Sequence, residues 1–330
     1  MIIPRYWSLA KETMRWTETF GAPRRRQLTV SRWGWSSVSQ EDADKNAQER
    51  LKNLVDKGVP EYRNRKEPKV PYNGAEGVPI REEIVEELPF CTVTRNSYGA
   101  RVLNTPSVLI VDVDKDTMYW PDKPWFYVAV VLSLLSLLAF SSFVPLQWGF
   151  VSMICVLGTV FFIREMSWHI SVMLKGGLEK MLVDRAKLLP LSFRIYVTPN
   201  GFRLIEQSKT FDPSSQEVQK IFEHLWADPL YVKMSQRQKC FRARLTGKPW
   251  RMDKVLKTSL SRMPKGVWPV SGEKLAHRVS WVSNYEKEVP LVSACRFLTC
   301  TKEGCPSLAT EEVIKYHDKE TGAFNTRELA

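Results

Sequence analysis

Two aspartates stand two positions apart at the end of an apolar run, in the stretch SVLIVDVDKD at residues 107–116. Successive side chains of a β-strand point to opposite faces, so a strand here would place Asp112 and Asp114 on one face. Mg²⁺ and Mn²⁺ bind oxygen ligands and often need only one or two carboxylates in addition to substrate phosphates. The pattern therefore predicts a metal site at these two acids. The alternative is a strand end whose acids face solvent or pair with arginines.

Basic residues alternate with apolar ones in the later strand-like runs. Arg242 and Arg244 share one face of FRARL, and Arg203 points away from its apolar neighbours in GFRLI. If these strands join one sheet with the aspartates, both sets converge on one face, where arginines could fork onto phosphate oxygens. An internal ion-pair network without a ligand fits the same pattern. The predicted nucleotide or nucleic-acid contacts are Arg194, Arg203, Arg242, Arg244 and Lys248.

The positive charge of the chain is concentrated in one segment. The 330 residues carry a formal net charge of +12, which favours acidic partners. Residues 231–278 contain thirteen Lys or Arg against two acids, Asp253 and Glu273, and therefore a net charge of +11. Aromatic residues alternate with these cations, which suits either a single-stranded nucleic acid or a basic surface against anionic lipid headgroups.

Two long uncharged runs follow the aspartates. Residues 125–144 and 146–163 have the length of membrane-crossing helices, and Pro145 separates them. Basic residues flank the pair, so the positive-inside rule predicts a two-span, multi-pass protein with both termini in the cytoplasm and the lipid bilayer as a partner. The alternative is a helical hairpin buried in a large core.

The chain divides into four predicted regions. Residues 1–66 are expected to be a helical N-terminal region, and residues 67–122 the first part of an α+β domain with a mixed sheet. Residues 125–163 form the transmembrane hairpin. Residues 165–330 complete the domain, and Asn200-Gly201 predicts a β-hairpin within it.

Cysteines and histidines show no arrangement typical of catalysis. Cys295, Cys300 and Cys305 recur every five residues, which differs from the closely paired ligands of structural zinc sites. His317 is expected to pair locally with Asp318.

The strand VLIVDVD and the later YVTPNGFRLI together resemble the first two motifs of the archaeo-eukaryotic primase superfamily, over about residues 90–250. This resemblance implies an RRM-like core, a divalent metal on Asp112 and Asp114, and nucleotidyl transfer. Arg203 stands where the family has a histidine, and KCFRARL offers arginines where a third aspartate is expected. The resemblance therefore implies a degenerate member without full polymerase activity. The chain is also similar to a bacterial family of unassigned activity through VTRNSYGARVLNT and FRARLTGKPWR.

These observations predict a membrane-anchored cytoplasmic domain that binds a nucleotide or nucleic-acid phosphate through a metal. The alternative is a non-enzymatic membrane scaffold whose basic surface faces lipid or a partner.

Overall fold

The computed structural model describes residues 1–18, 24–58, 65–70, 74–75, 77–119, 177–258, 260, 268–304 and 306–330, together with scattered positions between 131 and 173. The described strands and helices are, in chain order, β1 (Tyr6–Glu18), β2 (Arg24–Ser36), α1 (Gln40–Val55), β3 (Lys69–Val70), β4 (Gly74–Ala75), β5 (Glu83–Leu88), β6 (Cys91–Arg95), β7 (Arg101–Thr105), β8 (Ile110–Asp114), α2 (Lys115–Tyr119), α3 (Leu178–Lys187), β9 (Phe193–Thr198), β10 (Gly201–Glu206), α4 (Gln216–His224), α5 (Pro229–Gln238), β11 (Phe241–Arg244), α6 (Pro249–Leu256), α7 (Gly272–Glu288), β12 (Arg296–Cys300) and α8 (Leu308–Thr321).

Two four-stranded sheets form the body of this α+β protein. Sheet I has the order β11-β7-β6-β5, and sheet II has the order β12-β9-β10-β8. All strand pairs within both sheets are antiparallel. The predicted single mixed sheet is therefore wrong, because the aspartates and the FRAR strand lie in different sheets.

The edge strands β8 and β11 join the two sheets through one side chain. The Tyr231 hydroxyl donates to the Ile110 carbonyl oxygen at 2.9 Å and accepts from the Arg242 amide at 3.1 Å. Tyr231 itself is buried, so its hydroxyl needs both partners. The seam between the sheets is thus bridged by α5 rather than by a continuous strand ladder.

One large apolar core lies against both sheets. Alternate residues of β8 and β10, such as Val111, Val113 and Leu204, belong to it together with Phe222 of α4 and Phe241 of β11. The alternation leaves the opposite face of sheet II for polar side chains. This face carries Asp112 and Arg203.

The N-terminal region contains a long β-hairpin in addition to α1, so the prediction of a helical region over residues 1–66 is wrong for Tyr6–Glu18 and Arg24–Ser36. β1 and β2 have 13 residues each and pair from Tyr6↔Ser36 to Glu18↔Arg24. The helix α1 packs on one face of this hairpin, where Val30 belongs to the same apolar cluster as Leu51. The apolar residues of the hairpin follow a period of two because they face this helix.

The predicted transmembrane hairpin is corrected. Among the residues that the structure describes, no helix combines the length and the apolar composition that a membrane crossing requires. A crossing takes about 20 apolar residues, whereas α7, the longest described helix, has 17 residues and carries several charges. Most of residues 125–163 lie outside the described residues. The predicted two-span topology with both termini in the cytoplasm is corrected with it.

Candidate functional site

Asp112 and Arg203 are neighbours across the β8–β10 ladder. Arg203 is the register partner of Asp112, and Gly201 is the partner of Asp114. The Arg203 Nε atom lies 3.7 Å from Asp112 Oδ1, close enough for attraction but too far for a hydrogen bond. Both aspartates are partly exposed, whereas the alternate residues Val111 and Val113 are buried. The sequence-based prediction that these acids share a face with Arg203 is confirmed.

A cavity of about 100 Å³ opens beside this pair. Sheet II contributes Asp112 and Arg203 to its wall, and sheet I contributes Arg242 and Arg244. The seam between the two sheets therefore brings Asp112 and Arg203 close to Arg242 and Arg244, which lie far from them in sequence. The remaining wall is formed by Glu82, Asn96, Tyr98, Val102, Tyr231 and Met234.

Two guanidinium nitrogens of residues that line this cavity have no hydrogen-bond acceptor among the described residues. The Nε atoms of Arg203 and Arg244 are buried without a hydrogen bond to any described residue. A buried donor without an acceptor costs about 1–3 kcal/mol. An oxyanion in the cavity would be a suitable acceptor for both.

His317 forms a hydrogen bond with Arg203, a contact that the sequence did not reveal. Arg203 Nη1 donates to His317 Nε2 at 3.2 Å and to the Arg244 carbonyl oxygen at 2.9 Å. Because arginine can only donate, Nε2 is the acceptor, and the histidine proton is on Nδ1. Nδ1 lies 3.0 Å from Asp318 Oδ1 and donates to it, so the predicted pairing of His317 with Asp318 is confirmed.

Two of the predicted phosphate-binding arginines are engaged elsewhere. The guanidinium of Arg242 lines the cavity but forms a buried ion pair with Glu82. Arg194 Nη2 donates to Asp318 Oδ2 at 2.9 Å, on the far side of β10 from the aspartates. Arg194 is not among the residues that line the cavity. The structure thus retains Arg203 and Arg244 as cations at the cavity wall. Lys248 does not line the cavity, but its charge interacts with those of Asp112, Asp114 and Arg244.

Asp114 lies among other acids. Its pKa is raised by burial and by the nearby charges of Asp112 and Asp228. The amide of Asp228 donates to the Asp112 carbonyl oxygen at 2.9 Å, and its carboxylate caps α5 by accepting from the Leu230 amide at 3.0 Å. Asp228 was not among the predicted site residues, although Asp-Pro before a helix is a recognisable capping signal.

Lys248 lies among other cations beside the same acids. Burial and, to a smaller extent, the charges of Arg244 and Arg251 lower its pKa to about 8, against the opposing effect of Asp114 and Asp112. A cluster of acids and a cluster of cations therefore lie side by side, and repulsion acts within each cluster.

The described part of the basic segment, residues 231–258, 260 and 268–278, does not form one extended track. It spans α5, β11, α6 and the first part of α7. Its aromatic residues Tyr231 and Phe241 are core residues, whereas Trp250 is 51% exposed. The Tyr98 ring lies 5.2 Å from that of Trp250. Of these three aromatic residues, therefore, only Trp250 is exposed enough to stack on a ligand, whereas Tyr231 and Phe241 are buried.

The described residues contain no group of three or more His, Cys, Asp or Glu side chains that could hold a metal unaided. Of the three cysteines that recur every five residues, Cys295 and Cys300 are described and Cys305 lies outside the described residues. A scan against models of protein families, a search of curated proteins and a search of solved structures gave no match, so the likeness to the primase superfamily stays a prediction.

Proposed function

We propose that the cavity at the seam of sheets I and II binds a phosphate group of a nucleotide or nucleic acid together with a divalent cation. The observation that carries this proposal is the pair of guanidinium nitrogens without a hydrogen-bond acceptor, on Arg203 and Arg244, two residues that line a cavity together with Asp112. A phosphate oxygen accepts hydrogen bonds from such donors with high strength because both groups are charged.

The distribution of charge supports a ligand that carries both signs. Burial and the repulsion among Asp112, Asp114 and Asp228 raise the pKa of Asp114, and a divalent cation would relieve that repulsion. Burial and the repulsion among Arg244, Lys248 and Arg251 lower the pKa of Lys248, and a phosphate would relieve that repulsion. A metal–phosphate complex neutralises both groups at once.

The cation would be Mg²⁺ or Mn²⁺ held by Asp112 and Asp114. These ions accept one or two carboxylates and complete their coordination with phosphate oxygens and water. Two-metal nucleotidyl transfer needs more protein ligands than the described residues supply at this cavity. The proposed function is accordingly binding without full polymerase activity.

The test is a thermal-shift measurement with Mn²⁺ and ATP. A ligand at about one hundred times its dissociation constant stabilises a protein by about 2.7 kcal/mol, which raises the melting temperature by several degrees. We expect this rise with Mn²⁺ and ATP together, and its loss in Asp112→Asn/Asp114→Asn. The matched control is Asp56→Asn/Asp184→Asn, which removes two exposed acids outside the cavity. A rise that persists in the first variant would place the ligand elsewhere.

Binding is expected to weaken at alkaline pH. Lys248 is charged below its pKa of about 8 and becomes neutral above it, so its attraction for phosphate is lost as the pH rises. If phosphate binding restores an ordinary lysine pKa, ATP affinity falls by about tenfold per pH unit above pH 8. Lys248→Arg keeps its charge throughout this range and should remove that decline. Titration of ATP with Mn²⁺ at pH 7 and pH 9 measures the difference, and equal slopes in both proteins would exclude the lysine.

A second candidate, a non-enzymatic interaction protein, is favoured by the 3.7 Å approach of Arg203 to Asp112. In this case the acids stabilise buried cations rather than bind a ligand. Asp112→Asn/Asp114→Asn would then lower the melting temperature without any ligand, and Mn²⁺ with ATP would have no effect on the unmodified chain.

A further inference from the structure

The hairpin of β1 and β2 has one covered face and one polar face. Residues that α1 covers include Ala10, Leu28 and Val30, which form an apolar cluster with α1. The opposite side chains form what we call the ribbon face. Its register pairs are Thr13↔Thr29, Arg15↔Gln27 and Thr17↔Arg25, and Lys11 extends it. The seven exposed residues of the ribbon face are Lys11, Thr13, Arg15, Thr17, Arg25, Gln27 and Thr29.

The chemistry of the ribbon face is uniform. Every one of its side chains can form hydrogen bonds, three are cations, and none is acidic or apolar. Cross-strand contacts orient them: the hydroxyls of Thr13 and Thr29 lie 3.0 Å apart, and Arg15 Nε donates to Gln27 Oε1 at 3.3 Å. The ribbon face is therefore complementary in charge to a polyanion that offers many hydrogen-bond acceptors.

A hollow of about 530 Å³ lies at the distal part of the hairpin. Its wall includes Arg15, Arg25 and Arg26 together with the indole of Trp16. Arg26 thus adds a third arginine to Arg15 and Arg25 of the ribbon face, and the three concentrate positive potential at this part of the hairpin.

The helix α1 packs closely against the hairpin and supports it. A Cβ atom on Gly34 would lie 2.2 Å from the Ala47 amide nitrogen, so glycine allows α1 to lie directly on the strands. Isolated two-stranded hairpins are only marginally stable in water, and a packed helix supplies the missing support. The packed helix therefore supports the two strands that carry the ribbon face.

We propose that the ribbon face binds double-stranded nucleic acid, with the two strands in the major groove and the arginines on flanking phosphates. A two-stranded β-ribbon fits the roughly 12 Å width of that groove in B-DNA. Threonine, glutamine and arginine are common donors to phosphates and base edges. An anionic membrane is the less suitable polyanion, because surface binding to lipid also uses apolar side chains and the ribbon face has none.

The test uses fluorescence anisotropy of the full chain with a labelled DNA duplex of about two helical turns. Arg15→Ala/Arg25→Ala should weaken binding by about tenfold or more at about 0.1 M salt and reduce the salt slope by about two. The matched control, Lys45→Ala/Lys52→Ala, removes the same charge from exposed positions of α1, on the opposite layer of the hairpin unit. This control variant should change the affinity for the duplex by less than about twofold, because Lys45 and Lys52 lie away from the proposed contact with the groove.

Three results would overturn the proposal: no binding of the duplex, equal weakening by both variants, or binding to phosphatidylserine vesicles without binding to the duplex. All four residues are exposed, so both variants are expected to fold. Circular dichroism of each variant checks this. The thermal shift with Mn²⁺ and ATP should be unchanged in Arg15→Ala/Arg25→Ala. The two sites can therefore fail independently.

Discussion

Replacing Arg242 by methionine is expected to destabilise the protein by about 3–5 kcal/mol. The side chains of Arg242 and Glu82 are only 7% and 11% exposed, and they form an ion pair at the wall of the cavity. Removing the arginine leaves a buried carboxylate whose one remaining described hydrogen bond is from Thr94. Urea unfolding followed by circular dichroism measures the loss.

A second substitution tests whether the unpaired charge is the cause. Glu82→Gln combined with Arg242→Met removes both charges and should recover most of the lost stability, because a neutral amide costs less to bury than a carboxylate. If the double variant is as unstable as the single one, packing of the arginine stem rather than charge pairing stabilises this wall.

Replacing Gly201 by alanine is expected to cost about 3 kcal/mol and to abolish ligand-dependent stabilisation. A Cβ atom at this position would lie 2.0 Å from the Val113 carbonyl oxygen and 2.9 Å from the Asp114 Cα atom. Both contacts are with backbone, so β10 must move away from β8. That movement separates Arg203 from Asp112, and the thermal shift with Mn²⁺ and ATP reports it.

The control for this variant is Gly272→Ala at the start of α7. An added Cβ atom there meets no atom within 4 Å. Its stability and its thermal shift should match those of the unmodified chain. A Gly201→Ala protein that behaves in the same way would show that the strands can separate locally without disturbing the cavity.

Features determined by local chemistry were predictable. Asn200-Gly201 produced the β9–β10 hairpin, and Ser39 caps α1 by accepting from the Asp42 amide at 3.1 Å. The alternation of side chains in β8 and β10 likewise placed Asp112 beside Arg203, since period two fixes which residues share a face.

Features determined by distant contacts were not predictable in the same way. The run PIREEIVEEL has a proline near its start, a pattern that predicts the first turn of a short helix, yet Glu83–Leu88 is the strand β5. Glu83 forms an ion pair with Arg278 of α7 at 2.7 Å, and the strand pairs with β6. Tertiary partners thus override local preference here.

The candidate site was predictable only in part for the same reason. Alternation predicted the faces of Arg242 and Arg244, but the division into two sheets and the bridge through Tyr231 depend on packing of α5. His317 reaches Arg203 from the last described helix, and no sequence motif connects them. Arg194 was assigned to the site because it shares a face, but its partner Asp318 lies on α8.

The order of strands in sheet II has a consequence for biosynthesis. β8 leaves the ribosome long before its neighbour β10, and β12 emerges later still. Until then the nascent chain exposes an apolar strand with open hydrogen-bonding edges, a species that is prone to misassociation. Such long-range pairing slows folding. The aspartates consequently acquire their arginine neighbour only after most of the polypeptide has been translated.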